Sequence, residues 1–189
     1  MSIIAINGSP RAEGNTAKLT REVLTGAVEA GADVKLFQLG SMKVAACRGC
    51  LLCKPTAKCI IEDDMSQIYQ AIESAHNPKG LVIGTPIYFD HITAQLKTWL
   101  DRLFSYTYTE LGQKMFPKGF RAVLLATYDD GSPDRYDPVL DWLAGRLEYY
   151  HEVKTIARIV QPSATIKPLA QQADLIAKAR QAGRELAAK

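Results

Sequence analysis

Residues 3–16 are IIAINGSPRAEGNT. The apolar run at residues 3–6 predicts a buried strand, and the turn-forming residues 7–10 follow it directly. Residues 14–16 then begin a segment whose apolar positions recur with the period of an amphipathic helix. The first N–H groups of a helix lack intrahelical partners, and the helix dipole adds about half a positive charge there. This order of strand, loop and helix therefore predicts an anion site, with phosphate as the expected ligand.

The loop lacks the two common nucleotide-binding motifs. No lysine follows Gly14, which excludes the P-loop of nucleotide-hydrolysing proteins. A Gly-x-Gly pair is also absent, and residues 38–41 (QLGS) offer no carboxylate to a ribose, which excludes the dinucleotide motif. The composition suits a terminal phosphate monoester, held by backbone amides near Gly14 and by the side chains of Ser9, Arg11, Asn15 and Thr16. The alternative is an ordinary turn with a polar helix cap.

Strands and helices alternate in the rest of the chain. Further apolar runs predict strands at residues 34–39, 80–84, 122–127 and 153–160. Amphipathic segments predict helices at residues 17–30, 65–75, 92–104, 139–150 and 169–188. This alternation predicts an α/β fold whose parallel sheet is covered on both faces, a three-layer sandwich. With 189 residues and 47% hydrophobic composition, we expect one domain over residues 1–189.

Composition also limits the classes of partner. No apolar span approaches the roughly 20 residues that cross a membrane, and no signal peptide precedes the first strand. The net charge of +3 comes from basic residues scattered among acidic ones, without a basic stripe. We therefore expect no membrane or nucleic-acid partner and a cytoplasmic location.

A second loop with binding character, TPIYFDH at residues 85–91, follows the third predicted strand. Ligands of open α/β sheets bind beyond the carboxyl ends of the strands, so this loop shares an edge with the phosphate loop. Pro86 fixes its shape, and aromatic residues offer flat apolar surface to a planar ring. The predicted contact residues are Thr85, Pro86, Ile87, Tyr88 and Phe89. The alternative is that Tyr88 and Phe89 belong to the core or to a subunit interface.

A third loop, TYDDGSP at residues 127–133, follows the fourth predicted strand at the same edge. Tyr128, Asp129 and Gly131 are predicted to border the ring or to cap its pocket through side chain and backbone. Adjacent acids in a Gly- and Pro-containing loop are usually solvated, so no catalytic role is assigned to them.

All four cysteines lie in one stretch with the spacing C-x2-C-x2-C-x5-C, namely Cys47, Cys50, Cys53 and Cys59. An intracellular chain has little use for disulfides, so the clustering favours metal or redox chemistry. Structural zinc usually takes two pairs a dozen or more residues apart, whereas three thiolates at two-residue gaps are typical of iron–sulfur ligation. Iron–sulfur binding, zinc or another metal, and free redox-active thiols all remain open.

Residues 104–116 are rich in aromatic side chains, with Phe104, Tyr106, Tyr108 and Phe116. These residues indicate either packing against the sheet edge or a sister subunit, or a wall of the substrate pocket.

Seven short blocks occur in a recognisable order. They are 8–11 (GSPR), 14–16 (GNT), 47–53 (CRGCLLC), 59–65 (CIIEDDM), 84–88 (GTPIY), 95–97 (QLK) and 100–102 (LDR). Together they resemble the flavodoxin-like superfamily of NADPH-dependent FMN reductases, and within it the iron–sulfur flavoprotein branch. The resemblance covers about the first 100 residues and implies a five-stranded parallel sheet in the order 2-1-3-4-5 with FMN at its edge.

The resemblance also implies the chemistry. Cys47, Cys50, Cys53 and Cys59 would bind a [4Fe–4S] cluster, and homodimers or homotetramers would bring flavin sites near subunit contacts. The implied function is electron transfer between cluster and FMN to a small-molecule acceptor, with ferredoxin or NAD(P)H as donor. The cofactors carry this chemistry, so no residue is assigned as a general acid or base. A cluster-free NAD(P)H-dependent FMN or quinone reductase and a non-enzymatic metal- or redox-sensing module remain alternatives.

Overall fold

Five parallel strands form one sheet in a computed structural model that describes residues 1–77, 79–107 and 116–188. The strands are β1 (Ser2–Asn7), β2 (Asp33–Gln38), β3 (Lys79–Pro86), β4 (Phe120–Thr127) and β5 (Lys154–Gln161). Their order is β2-β1-β3-β4-β5, which confirms the predicted α/β sandwich and its strand order. Because every pairing is parallel, the loops that follow the strands meet at one edge of the sheet.

Five helices cover the two faces of the sheet. They are α1 (Asn15–Glu29), α2 (Met65–Glu73), α3 (Ala94–Arg102), α4 (Asp137–His151) and α5 (Ala173–Ala187). On one face, α1 and α5 bury side chains such as Leu19 and Leu186. On the other, α2, α3 and α4 bury side chains such as Ile68, Trp99 and Leu143. The chain changes face between β1 and β3, so the crevice at that point opens beside the start of α1.

The two helices α1 and α5 cross closely through a pair of glycines. A Cβ on Gly26 would lie 1.9 Å from the carbonyl oxygen of Arg180, and one on Gly183 would lie 1.9 Å from that of Val23. Only residues without a side chain allow this approach, which fixes α1, and therefore the loop before it, against the sheet.

The predicted element boundaries differ from the structure at four helix starts. α1 begins at Asn15, two residues earlier than predicted. α3 begins at Ala94 because the side chain of Thr93 caps it, accepting from the N–H of Leu96. α4 begins two residues earlier than predicted, at Asp137, and includes Pro138 in its first turn. A short 3-10 turn over Leu169–Gln171 precedes α5. None of these shifts moves a predicted site residue away from the sheet edge.

The aromatic segment divides between core and surface. Tyr106 and Phe116 are buried and meet edge to face at a centroid distance of 5.5 Å. Phe104 is partly exposed, and Tyr108 lies outside the described residues. None of the helices in the described part of the chain combines the length and the apolar character that a bilayer crossing requires.

Candidate functional site

The loop at residues 8–16, which the sequence predicts to bind phosphate and which is called the phosphate loop below, is held by two side-chain amides. Asn7, the last residue of β1, accepts from the N–H of Ser9 at 3.1 Å and donates from Nδ2 to Oε1 of Gln38 at 2.5 Å. Gln38, the last residue of β2, donates from Nε2 to the Ser9 carbonyl at 2.5 Å. Two neighbouring strand ends therefore fix the turn after β1.

A third anchor comes from the cap of α3. The Thr93 hydroxyl donates to the Gly8 carbonyl at 2.8 Å and accepts from the N–H of Leu96 at 3.2 Å. The Thr93 N–H donates to the hydroxyl of Thr85 at 3.2 Å, and that hydroxyl donates to the Pro86 carbonyl at 2.8 Å. Thr85 and Pro86 are buried, so they position the phosphate loop and the second loop relative to each other.

The start of α1 presents unused donors. Gly14 occupies the cap, and the first helical hydrogen bond runs from the N–H of Lys18 to the Gly14 carbonyl at 3.0 Å. The N–H groups before Lys18 have no intrahelical acceptor, and the first turn carries no acidic residue. Ser9 is buried beside them and accepts from the N–H of Arg11 at 3.1 Å, while Arg11 itself is exposed. The loop is therefore electropositive and open to an anion.

Two other predicted phosphate ligands tie the loop to its neighbours. The side-chain amide of Asn15 donates to the Ala164 carbonyl at 2.8 Å. The hydroxyls of Thr16 and Thr127 share a hydrogen bond of 2.7 Å, and the N–H of Ile87 donates to the Thr127 carbonyl at 3.0 Å. The three loops after β1, β3 and β4 are thus joined at one edge.

A tight turn carries the aromatic residues of the second loop. Tyr88 and His91 exchange two backbone hydrogen bonds of 3.0 and 3.1 Å, and Phe89 and Asp90 lie between them at φ values of 49° and 58°. Non-glycine residues at such φ cost about 1–3 kcal/mol each. The hydroxyl of Tyr136 donates to Asp90 at 2.8 Å and supports the turn. Tyr88 is exposed and Phe89 fully so, which leaves both rings available to a ligand or to another subunit.

The third loop, at residues 127–133, presents mainly backbone groups to a ligand at the sheet edge. The hydroxyl of Tyr128 donates to the carbonyls at residues 132 and 133, at 3.1 and 3.0 Å. Burial, with added effect from nearby carboxylates, raises the pKa of Tyr128 to about 12. Asp129 accepts from the N–H and the hydroxyl of Thr165 at 2.9 and 2.6 Å. These two side chains stabilise the loop from within, and Gly131 lies exposed in it.

The cysteines lie in an irregular segment at residues 44–64. Cys47 and Cys50 are exposed, Cys59 is half-buried and Cys53 is buried. Burial raises the pKa of the Cys53 thiol, and the positive charge of Lys54 partly opposes that change.

Lys54 fastens this segment to the end of α3. Its ammonium donates to the Phe104 carbonyl at 2.9 Å and to the Thr107 hydroxyl at 2.6 Å. It also lies 3.4 Å from the centroid of the Phe104 ring. Burial lowers the pKa of Lys54, and its electrostatic interactions with Cys53 and Cys47 oppose that change. These contacts place the Lys54 side chain next to the cysteines.

A buried ion pair closes the base of the cysteine segment. Arg102 is 1% exposed and donates from Nη1 to Asp63 at 2.6 Å and to the Ala45 carbonyl at 2.9 Å. Its Nη2 donates to Asp63 at 3.2 Å and to the Ile61 carbonyl at 3.3 Å. Asp63 also accepts from the N–H groups of Ala45 and Met65, at 2.8 and 3.0 Å. The residues on either side of the four cysteines are therefore held together by one guanidinium.

The four cysteine thiols are the chemical type of ligand that an iron–sulfur cluster requires. Four thiols on one irregular segment, between ends held by Arg102 and Asp63, match the ligand type and number that a [4Fe–4S] cluster needs. Across residues 1–77, 79–107 and 116–188, however, no three His, Cys, Asp or Glu side chains lie close enough together to hold a metal ion. Cluster binding would therefore require the thiols to converge.

The burial of Cys53 predicts an order of thiol reactivity. In metal-free folded protein at pH 8, we expect iodoacetamide to modify Cys47 and Cys50 roughly tenfold faster than Cys53, because burial limits both access and thiolate formation. Peptide mass spectrometry over time measures the rates. In urea the difference should disappear, and equal rates in the folded protein would contradict the assigned burial.

The sequence analysis gives Asn7 only a turn role, and it assigns no role to Gln38, to Thr93 or to the pairing of Arg102 with Asp63. Asp63 and Arg102 stand in two of the seven blocks, but only Arg102 carries a local signal of burial. Arg102 follows Trp99 at helical spacing on the buried side of α3, where an apolar residue would be expected. A cation at such a position indicates a buried carboxylate partner, although the sequence does not say which one.

The open parallel sheet, its strand order and the electropositive loop after β1 define a flavodoxin-like protein. The chain belongs to the NADPH-dependent FMN reductase family, whose sequence model matches residues 1–128. The family inferred from the seven sequence blocks is thereby confirmed.

Two archaeal relatives agree with this assignment. An iron–sulfur flavoprotein of Methanocaldococcus jannaschii is 40% identical over 102 residues, covering 54% of this chain and 51% of the relative. One from Methanosarcina thermophila is 34% identical over 102 residues, covering 54% and 52%. The chain thus spans about half the length of these curated relatives.

Solved structures show the same fold. An NAD(P)H:quinone oxidoreductase from Methanothermobacter marburgensis superposes with a TM-score of 0.78 at 19% identity, covering 98% of both chains. An FMN-dependent NADH-azoreductase from Bacillus anthracis, in complex with FMN, superposes with a TM-score of 0.72 at 17% identity, covering 99% of both chains.

Proposed function

We propose that this chain is an FMN-dependent oxidoreductase whose four cysteines hold a [4Fe–4S] cluster. The observation that carries the flavin part is the open start of α1, fixed at the sheet edge by Asn7, Gln38 and Thr93. Membership of the FMN reductase family supports the same assignment. The spacing of the cysteines and the names of the curated relatives support the cluster.

The phosphate of FMN would bind the loop between β1 and α1. Backbone N–H groups at the start of α1, the Ser9 hydroxyl and the exposed Arg11 would neutralise its charge. Asn15 and Thr16 would act from the helix start while keeping their bonds to the neighbouring loops. The N–H groups at the start of α1 that have no intrahelical acceptor would thereby bind the phosphate.

The ring of FMN would lie against the second and third loops. Ile87, Tyr88 and Phe89 supply apolar surface, and the backbone at residues 129–131 supplies donors to the ring edge. Thr85, Pro86 and Tyr128 shape these loops from inside. FMN when bound supplies hydride and electron chemistry, and the protein supplies its position, access and electrostatic surroundings.

Cys47, Cys50, Cys53 and Cys59 would be the cluster ligands. Four thiolates bring negative charge into a partly buried segment, where Lys54 and Arg102 provide the nearby cations. Electrons would come from NAD(P)H or a ferredoxin and pass to a small-molecule acceptor. We further propose that residues 1–189 fold as one domain and assemble as a homodimer or homotetramer.

A cluster-free NAD(P)H-dependent quinone reductase is the second candidate. Two observations favour it: the thiols in the described part of the chain do not converge on a metal site, and a quinone oxidoreductase shares the fold over 98% of both chains. FMN would bind in the same way under this candidate, and the cysteines would be free thiols.

Analysis of protein purified without oxygen separates the two candidates. We expect about four iron atoms, about four sulfides and about one FMN per chain. Cys50→Ala should lose the iron and retain FMN, because Cys50 is exposed and remote from the phosphate loop in sequence. Leu52→Ala, another exposed position in the same segment, is the control and should retain both. FMN without iron in the unmodified protein would favour the quinone reductase, and absence of both would contradict the proposed function.

A further inference from the structure

A cleft separates the cysteine segment from α3 and α4. It measures about 490 Å³, and its walls include Cys47, Leu100, Phe104, Trp142, Arg146 and Tyr150. None of the residues predicted to bind FMN lines it. The cleft is therefore a second site, adjacent to a predicted cluster ligand but separate from the phosphate loop.

The walls of the cleft combine flat apolar surface with positive charge. Leu100 and Trp142 are half-buried, so each still offers surface to a ligand. The Lys54 ammonium covers one face of the Phe104 ring, but Phe104 remains 38% exposed and offers its other face. The His91 ring packs edge-on against Trp142 at a centroid distance of 4.9 Å, which limits the motion of the indole. Partly exposed aromatic walls of this kind suit a planar aromatic group.

Arg146 supplies the positive charge of the cleft. The ammonium of Lys97, also at the cleft, is neutralised by Asp101 at 2.6 Å. Arg146 has no carboxylate partner within the described ranges, and its guanidinium carbon lies 5.5 and 5.6 Å from the ring centroids of Tyr149 and Tyr150. A guanidinium held over aromatic rings keeps its hydrogen-bond donors for an anionic group.

We propose that this cleft binds a planar aromatic acid, with the ring between Phe104 and Trp142 and the acid group on Arg146. Cys47 borders the cleft, so the ligand would lie next to the proposed cluster. On the proposed function, on which this consequence rests, the cleft holds the small-molecule electron acceptor. The binding itself needs neither iron nor FMN, because every group that it uses belongs to the chain.

Titration with anthraquinone-2-sulfonate tests the proposal, and calorimetry on the purified protein gives the affinity. Arg146→Gln should weaken binding about tenfold or more, since a hydrogen bond to a charged group is lost. Arg135→Gln is the matched control, because Arg135 also lies over a tyrosine ring, Tyr136, at 5.9 Å, but outside the cleft. The uncharged 2-(hydroxymethyl)anthraquinone should bind both variants equally.

Tryptophan fluorescence locates the bound probe. The chain has two tryptophans, of which Trp99 is fully buried and Trp142 lines the cleft. The probe should quench the emission of the unmodified protein, and Trp142→Phe should abolish that quenching.

The proposal would be overturned by absence of binding, by equal affinity for the Arg146 and Arg135 variants, or by displacement of the probe by FMN. A change in molar mass of the Arg146 variant by light scattering would also overturn it, because the cleft would then be a contact between two copies of the chain. Iron and flavin analysis is separate from these measurements, so failure of the proposed function and failure of this site are distinguishable.

Discussion

Replacing Arg102 with methionine is expected to lower the free energy of unfolding by about 3–5 kcal/mol, the range typical for removing one partner of a buried ion pair. Asp63 is only 10% exposed at its side chain and would keep a carboxylate without its cation. The carbonyls of Ala45 and Ile61 would lose their donors at the same time. Urea denaturation at pH 7 measures the loss.

The matched control for this variant lies on the same helix. Lys97→Met also breaks an ion pair with a carboxylate, Asp101, at the same distance of 2.6 Å. The side chains of Lys97 and Asp101 are both about half exposed, so water screens the ion pair. We therefore expect the free energy of unfolding to fall by less than about 1 kcal/mol. Equal losses for the two variants would contradict a structural role for the buried pair.

The pH dependence of the stability lost in Arg102→Met shows whether Asp63 is the carboxylate that pairs with Arg102. Burial alone would raise the pKa of Asp63, but hydrogen bonds from Arg102 and from two backbone N–H groups bring it below its usual 3.8. A group with a lowered pKa stabilises the fold fully above its unfolded value, and that contribution is lost as the pH falls through the folded value. The difference between the unmodified protein and Arg102→Met should therefore narrow from pH 7 to pH 3. A difference that stays constant over this range would mean that Asp63 is not the partner that matters.

The same pair connects stability with the proposed cluster. Arg102 and Asp63 bring Ala45 and Ile61 together, and all four cysteines lie between these two residues. Convergence of the thiols on a cluster costs less chain entropy when the ends of the segment are already close. We therefore expect Arg102→Met protein prepared without oxygen to contain less iron than Lys97→Met protein at equal FMN content.

The sequence predicts the strands and the loops at the sheet edge well because apolar runs and turn residues are local signals. The apolar run at residues 3–6 and the turn after it depend on neighbours in the chain, and both occur where predicted. The strand order does not follow from local signals. It comes from the resemblance carried by the seven blocks, and the structure confirms it.

The features of the candidate site that the sequence does not predict are contacts between residues far apart in the chain. Asp129 is exposed, as its sequence context indicates, but it also accepts hydrogen bonds from Thr165, 36 residues away, which the sequence does not predict. Gln38 ends a strand without a visible role, yet it holds the Ser9 carbonyl across 29 residues. These partners lie on loops that follow different strands, and the loops come into contact only in the folded protein. The periodicity or spacing of residues within one segment does not predict such contacts.

Replacing Gly14 with aspartate is expected to weaken FMN binding roughly a hundredfold or more while leaving the fold intact. Gly14 lies at φ −73° and ψ 171°, a conformation open to any residue, and aspartate is among the preferred helix caps. Its carboxylate would lie where the phosphate is expected to bind. Repulsion between two like charges near a protein surface is worth about 3 kcal/mol or more at close range, which corresponds to that loss of affinity.

Gly14→Asn isolates the charge from every other effect of the substitution. A Cβ at this position comes within 3.1 Å of the Cβ of Arg11, so both variants meet the same crowding. Asparagine also caps helices as well as aspartate does, so competition for the N–H groups of α1 is matched. Fluorescence titration should therefore give FMN affinities that fall much further for aspartate than for asparagine, with riboflavin, which lacks the phosphate, bound equally by both. If the two variants bound FMN alike, the phosphate would not lie at the start of α1, and the flavin assignment would lose its main structural support.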